Sequence, residues 1–158
     1  MDVLSSVSVT FVIRWAHVLA MVIVVGGSAS LCVRFLRPLG EREPARDPAR
    51  LRAAIGYERA FWMAIGLLVL TGVGNAGAFA GHLPTPETLW GRKFVLKLFG
   101  VMALILVSFL RTCLVAQWEH VQGHRPEMLV PKVIGGLYGA TLFLGVAVSS
   151  LALFLAHG

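Results

Sequence analysis

The residues best suited to do chemistry lie in one apolar run near the N-terminus, RWAHVLAMVIVVGG over residues 14–27. Arg14 and His17 are three residues apart, and Met21 follows one turn after His17, so a helix would place them close together. A neutral imidazole is a good ligand for haem iron, copper or zinc. Because ionisable groups in an apolar helix are costly and usually functional, these residues form a candidate cofactor site.

The composition predicts that this run crosses a membrane. Of the 158 residues, 57% are hydrophobic and only 14% are charged, whereas about a quarter are charged in a typical soluble domain. The net charge is +6, but the basic residues lie between apolar runs and form no groove with aromatic stacking positions, so we expect no nucleic-acid partner. The chain has no phosphate-binding loop, zinc-protease or serine-hydrolase motif.

Four apolar segments are long enough to cross a bilayer, which takes about 20 residues. They cover approximately residues 10–35, 59–81, 91–117 and 133–156. Because lipid allows no open strand edge, we predict an all-α fold, a single four-span bundle embedded in the lipid bilayer.

The basic residues predict the orientation of this bundle. The third connection carries Arg125 and Lys132, with Arg111 near the end of the third span, whereas the second connection has only Arg92 and Lys93 at its edge. The positive-inside rule then places the first and third connections in the cytoplasm and both termini outside, in the inner (plasma) membrane. The first connection holds six arginines: Arg37, Arg42, Arg46, Arg50, Arg52 and Arg59.

With this orientation, all four spans bring polar residues to one layer in the outer third of the membrane. His17 lies roughly 9 Å outward of the midplane, with Arg14 one turn further out. Thr71 and Asn75 share a face of the second span at the i, i+4 spacing. The predicted cofactor pocket therefore contains Arg14, His17, Asn75, Lys93, Lys97 and Ser149.

Two kinds of metal centre would suit this layer. Met102 of the third span has a depth similar to that of Met21, so His17 and Met102 could ligate a haem from two sides. Alternatively, His17, Met21 and Met102 could bind Cu(I), and Cys32 with Cys113 could continue a copper path inward.

The neighbouring cations discriminate between these centres. Arg14, Lys93 and Lys97 would repel a bare copper ion but would attract the propionates of haem b. We therefore favour haem b.

The third span, WGRKFVLKLFGVMALILVSFLR, resembles the copper-resistance CopD domain, whose "G-R-x-L-x-x-K" leads to a basic residue at the far end of the span. The matching positions are Gly91, Arg92, Lys97 and Arg111. His17 with Gly26–Gly27, and Thr71 with Gly72, resemble the motifs of its preceding spans. This resemblance implies copper handling in the bacterial inner membrane.

A more distant likeness is to HemJ-type protoporphyrinogen oxidases, which are small helical membrane proteins associated with haem b. They carry a "W-x-x-x-H" pattern on the first span and a lysine on a later span. The property that this likeness implies for the present chain is haem binding through His17.

Three functions therefore remain open. The first is a haem-b protein for electron transfer or for a respiratory-type complex, and the second is a Cu(I) transport or copper-resistance protein. The third is a structural or assembly subunit without a cofactor, which would have partner subunits in a larger membrane complex.

Overall fold

The computed structural model contains four α-helices in the residues that it describes, which are 3–36, 48–79, 87–121 and 129–157, with side chains at 9, 11–36, 48–72, 87–120 and 130–155. Each helix includes a segment long and apolar enough to span a membrane, so the prediction of an all-helical bundle of four helices that could each cross a bilayer is confirmed for the described residues. The helices are α1 (Val3–Leu36), α2 (Pro48–Phe79), α3 (Leu89–Val121) and α4 (Leu129–His157).

The helix that contains the second predicted span begins before residue 59. α2 runs from Pro48 to Phe79, so residues assigned to the arginine-rich connection are helical, and Pro48–Gly72 is already apolar enough to cross a membrane. Pro48 occupies the first helical position, where its missing N–H costs no hydrogen bond. The buried face of this helix repeats every three or four residues: Leu51, Ala54, Glu58, Phe61 and Ile65.

The helices form a ring in chain order. α1 packs against α2 and α4, and α4 packs against α3, whereas α2 and α3 meet over a shorter seam. Glycines permit some of these close approaches, since a Cβ on Gly27 would overlap the Tyr57 ring and one on Gly135 would lie 2.9 Å from Phe35 Cβ. The adjacent glycines, Gly26 and Gly136, face open space.

The buried apolar residues form two clusters. We call the end where α1 begins and α4 ends the terminal end, and the opposite end the far end. A far cluster contains Leu31, Phe35, Leu51, Ala54, Val115, Trp118, Ile134 and Tyr138. A middle cluster contains Ala20, Val24, Phe61, Ala64, Ile65 and Leu104.

Beyond the middle cluster, toward the terminal end, the described side chains include no buried apolar residue. The buried side chain in that part is Thr71, at 7% exposure. The bundle is therefore closely packed at its far end and in its middle, and it is less closely packed where the predicted polar layer lies.

Candidate functional site

His17 is held in position by Thr71 of α2. Its Nδ1 atom lies 2.7 Å from Thr71 Oγ1, and the same hydroxyl donates to the Leu67 carbonyl at 2.7 Å. When the single hydroxyl hydrogen of Thr71 points to the Leu67 carbonyl, the hydroxyl oxygen is left to accept from the imidazole. In that arrangement Nδ1 of His17 carries the imidazole proton and donates it to Thr71, and Nε2 keeps its lone pair.

Lys97 of α3 is the charged neighbour of this histidine. It is half-buried, and its charge acts on the imidazole. Lys97 precedes Leu104 and Arg111 by seven and fourteen residues, which places it on the same inward-facing side of α3. We call His17, Thr71 and Lys97, which come from three different helices, the histidine site.

The other predicted pocket residues are less closely engaged. Arg14 is exposed and Lys93 is half-buried. Ser149 is half-buried, and its hydroxyl donates to the Gly145 carbonyl of its own helix at 2.6 Å. Asn75 belongs to α2, but its side chain lies outside the described residues.

The predicted sulfur ligands are spread through the bundle. Met21 is half-buried one turn from His17. Met102 is 54% exposed and follows Lys97 by five residues, which places it nearly opposite on α3, so the structure does not bring it to His17. Cys32 and Cys113 are free, partly buried thiols. No three His, Cys, Asp or Glu side chains of the described ranges form a group that could hold a metal ion.

A second polar centre, which was not predicted, lies between the middle and far clusters. Arg111 is fully buried and faces the carboxylate of Glu58 with two parallel bonds. Its Nε donates to Oε1 at 2.7 Å, and its Nη2 donates to Oε2 at 3.1 Å. From the sequence, Arg111 was predicted only to be a positive charge near the end of a span, whereas in the structure it is half of a buried ion pair. We call this pair and its hydrogen-bond partners the ion-pair centre.

Hydrogen bonds to the remaining lone pairs of Glu58 complete the ion-pair centre. Tyr138 donates to Oε1 at 2.9 Å, and Thr112 donates to Oε2 at 2.5 Å. On the other side, Arg111 Nη1 donates to Thr141 Oγ1 at 2.7 Å. The carboxylate thus accepts four hydrogen bonds, which is about its full capacity.

Aromatic rings enclose the guanidinium and extend the ion-pair centre to α1. The Arg111 Cζ atom lies 4.5 Å from the centroid of Phe61 and 4.6 Å from that of Tyr138, within cation–π range. Tyr57 also faces the guanidinium, and its hydroxyl donates to the Val24 carbonyl at 2.8 Å and contacts Ser28 Oγ at 2.7 Å. All four helices therefore contribute to this centre.

One signal in the sequence could have revealed the ion pair. Extending the apolar face of the second span upstream by one turn places Glu58 on it, three residues before Phe61. Arg111 follows Leu104 by seven residues, so it falls on the apolar face of the third span. An acidic and a basic residue that both face the inside of an apolar bundle are expected to pair, because an unpaired charge there is costly.

Comparison with known proteins adds no assignment, since no protein-family model, curated protein or solved structure matches the chain.

Proposed function

We propose that this chain is a membrane protein that binds haem b near the terminal end of its bundle, with His17 as an axial ligand. The observation that carries the proposal is the hydrogen bond between His17 Nδ1 and Thr71 Oγ1 at 2.7 Å. With Nδ1 as the donor, Nε2 keeps the lone pair that a metal needs, and a hydrogen bond from the second ring nitrogen is the usual way in which a ligating histidine is oriented.

The surroundings of His17 support a haem rather than a bare ion. Lys97 supplies a half-buried positive charge beside the imidazole, which suits a propionate and disfavours a cation. Arg14 and Lys93 add positive charge at the same end of the bundle. The buried apolar clusters end before this level of the bundle.

This chain contributes one axial ligand from its described residues. Met102, the predicted second ligand, lies on the other side of α3 and is 54% exposed. A haem with one protein ligand can exchange electrons or bind a small molecule at its open position. Since no catalytic motif accompanies the histidine, we propose electron transfer, within a respiratory-type membrane complex, as the function.

We also propose that the terminal end faces the outside of a bacterial plasma membrane. Basic residues are concentrated toward the far end, among them Arg34 at the end of α1 and Arg52 and Arg59 in the first half of α2. Lys132 lies near the start of α4, also at the far end. The positive-inside rule places such residues in the cytoplasm.

The decisive experiment is an absorption spectrum of the detergent-purified protein, oxidised and then reduced with dithionite, with iron and copper quantified on the same sample. We expect a Soret band and about one iron per chain. His17→Ala should remove the band, whereas the control His120→Ala, an exposed histidine near the far end of α3, should keep it. A colourless protein that carries copper would replace the proposal with Cu(I) transport. A protein with neither metal would favour a structural subunit.

A further inference from the structure

The outward face of α2 carries an arginine at a depth where the neighbouring helix exposes apolar side chains. Arg59 is exposed and lies two residues nearer the terminal end than Tyr57, which bonds to Ser28 of α1 at 2.7 Å. Beyond Ser28, toward the far end, Val33 and Leu36 are 46% and 57% exposed. Leu36 lies about 12 Å past Ser28 along the helix axis. Arg59 therefore lies well inside the apolar outer surface of the bundle rather than at its edge.

No carboxylate of the described residues neutralises Arg59. The adjacent Glu58 faces the inside of the bundle, where it is paired with Arg111. Neither Arg52 nor Arg59 forms an ion pair with a described residue. An exposed cation at the depth of the acyl chains is costly unless it reaches a counter-ion or the headgroup layer. Because helix side chains lean toward the N-terminus of their helix, the Arg59 side chain extends toward the far end and its headgroup layer.

Arg52 and Gly56 lie on the same face of α2 as Arg59. Gly56 follows Arg52 by four residues and precedes Arg59 by three, a spacing that aligns them along one side of a helix. All three are exposed, and a Cβ on Gly56 would meet nothing within 4 Å. Arg52 Nε donates to the Pro48 carbonyl at 3.3 Å, which leaves its two Nη groups available. The face thus has a shallow recess at Gly56 between two guanidinium side chains.

Toward the terminal end the same face is apolar. Met63 and Leu70 follow Gly56 by seven and fourteen residues, so they continue the stripe. Each is 72% exposed. A surface with two cations at one end and apolar side chains along the rest is complementary to a molecule with an anionic head and an apolar tail.

We propose that this face of α2 binds an anionic phospholipid of the leaflet at the far end. The phosphate lies in the recess at Gly56, between Arg52 and Arg59, since guanidinium groups donate paired hydrogen bonds to phosphate. An acyl chain follows Met63 and Leu70. Lipid binding here is independent of haem binding at the histidine site, so each can be tested without the other.

The test is a titration of the detergent-purified protein with dioleoylphosphatidylglycerol, in which native mass spectrometry counts the bound lipid. Dioleoylphosphatidylcholine is the zwitterionic reference. Arg52→Gln and Arg59→Gln each remove one cation, and Arg34→Gln is the matched control, because Arg34 is an exposed cation near the far end of α1. Gly56→Leu fills the recess, whereas Gly136→Leu adds the same side chain at an exposed glycine of α4 with nothing within 4 Å.

We expect the wild type to bind phosphatidylglycerol more tightly than phosphatidylcholine. Each arginine variant should lower the affinity for phosphatidylglycerol about fivefold, the contribution of one basic residue at an anionic membrane surface, and the double variant about 25-fold. Gly56→Leu should also weaken binding, whereas Arg34→Gln and Gly136→Leu should match the wild type.

Three results would overturn this site. Equal affinity of the wild type for the two lipids would show that the face does not recognise an anionic headgroup. A loss in Arg34→Gln as large as that in Arg59→Gln would show that net charge alone attracts the lipid. Wild-type affinity in Gly56→Leu would place the lipid elsewhere on the bundle.

Discussion

The histidine site and the ion-pair centre are both polar groups inside an apolar bundle, but they differ in how completely they are satisfied. At the ion-pair centre the Glu58 carboxylate accepts four hydrogen bonds, and aromatic rings cover the Arg111 guanidinium. At the histidine site one ring nitrogen is bonded to Thr71, and no hydrogen bond to the other is found among the described residues. A saturated polar group can fix only the packing of the chain, whereas an unsaturated one can bind something else.

The largest effect should come from breaking the ion pair. Arg111→Met leaves the Glu58 carboxylate uncompensated, and removing one partner of a buried pair costs about 3–5 kcal/mol. We expect that loss in the free energy of unfolding, measured by denaturant titration in detergent micelles. The double variant Glu58→Gln with Arg111→Met should recover much of the loss, because it removes both charges. Simple additivity of the two single variants would show that the pair does not couple α2 to α3.

A smaller loss of stability should follow from overpacking next to Tyr57, which contacts the guanidinium of the ion-pair centre. Gly27→Ala places a methyl group on the Tyr57 ring and displaces a hydroxyl that bonds to α1. Overpacking of this kind costs about 1–3 kcal/mol. Gly26→Ala is the matched control, since its Cβ would meet open space. Equal thermal midpoints for the two variants would contradict the close packing of Tyr57 against α1.

At the histidine site, removing the hydrogen-bond partner of His17 should weaken haem binding rather than destabilise the fold. Thr71→Val keeps the shape of the side chain but removes the hydroxyl that is hydrogen-bonded to His17 Nδ1. Loss of such an orienting partner typically lowers metal affinity by about 10–100-fold. We expect weaker haem binding and a shifted Soret band in a spectroscopic titration. An unchanged affinity, with an unchanged spectrum, would mean that Thr71 does not orient the ligand.

The smallest expected effect is a gain in stability. Ser108 is fully buried, and its hydroxyl has no hydrogen-bond partner among the described residues. Ser108→Ala removes an unsatisfied group, so it should raise the free energy of unfolding by about 1 kcal/mol. Thr141→Val is the control, because that hydroxyl accepts from Arg111 and donates to Leu137. Destabilisation by Ser108→Ala would show that the hydroxyl is paired after all.

The four helices could be predicted from the sequence, but the ion-pair centre could not. The four spans follow from the length and apolar character of the runs, which are local properties. The helix α2 begins at Pro48, about three turns before the predicted second span, and the arginines of residues 48–59 obscured an apolar repeat on the other side of this helix. The predicted spans therefore did not include Glu58, and Arg111 was given no partner.

The contents of the histidine site were predictable only in part. His17 and Lys97 are each unusual in an apolar run, so residue type alone identified them as candidates. The hydrogen-bond partner of His17 could not be selected from the sequence, because Thr71 and Asn75 lie on the same face of the helix and either could have bonded to the imidazole. Met102 has a suitable depth, but depth says nothing about rotation around the helix axis.

The sequence by itself determined that the chain forms four helices long and apolar enough to cross a membrane, because burial in lipid depends on the hydrophobicity of each segment and requires every backbone group to be bonded within its own helix. Only the tertiary structure decided which polar groups meet. Rotation and translation of one helix against another depend on the packing of all four, and small changes in either would separate Glu58 from Arg111 or His17 from Thr71. Pairing inside the bundle is therefore a property of the assembled helices.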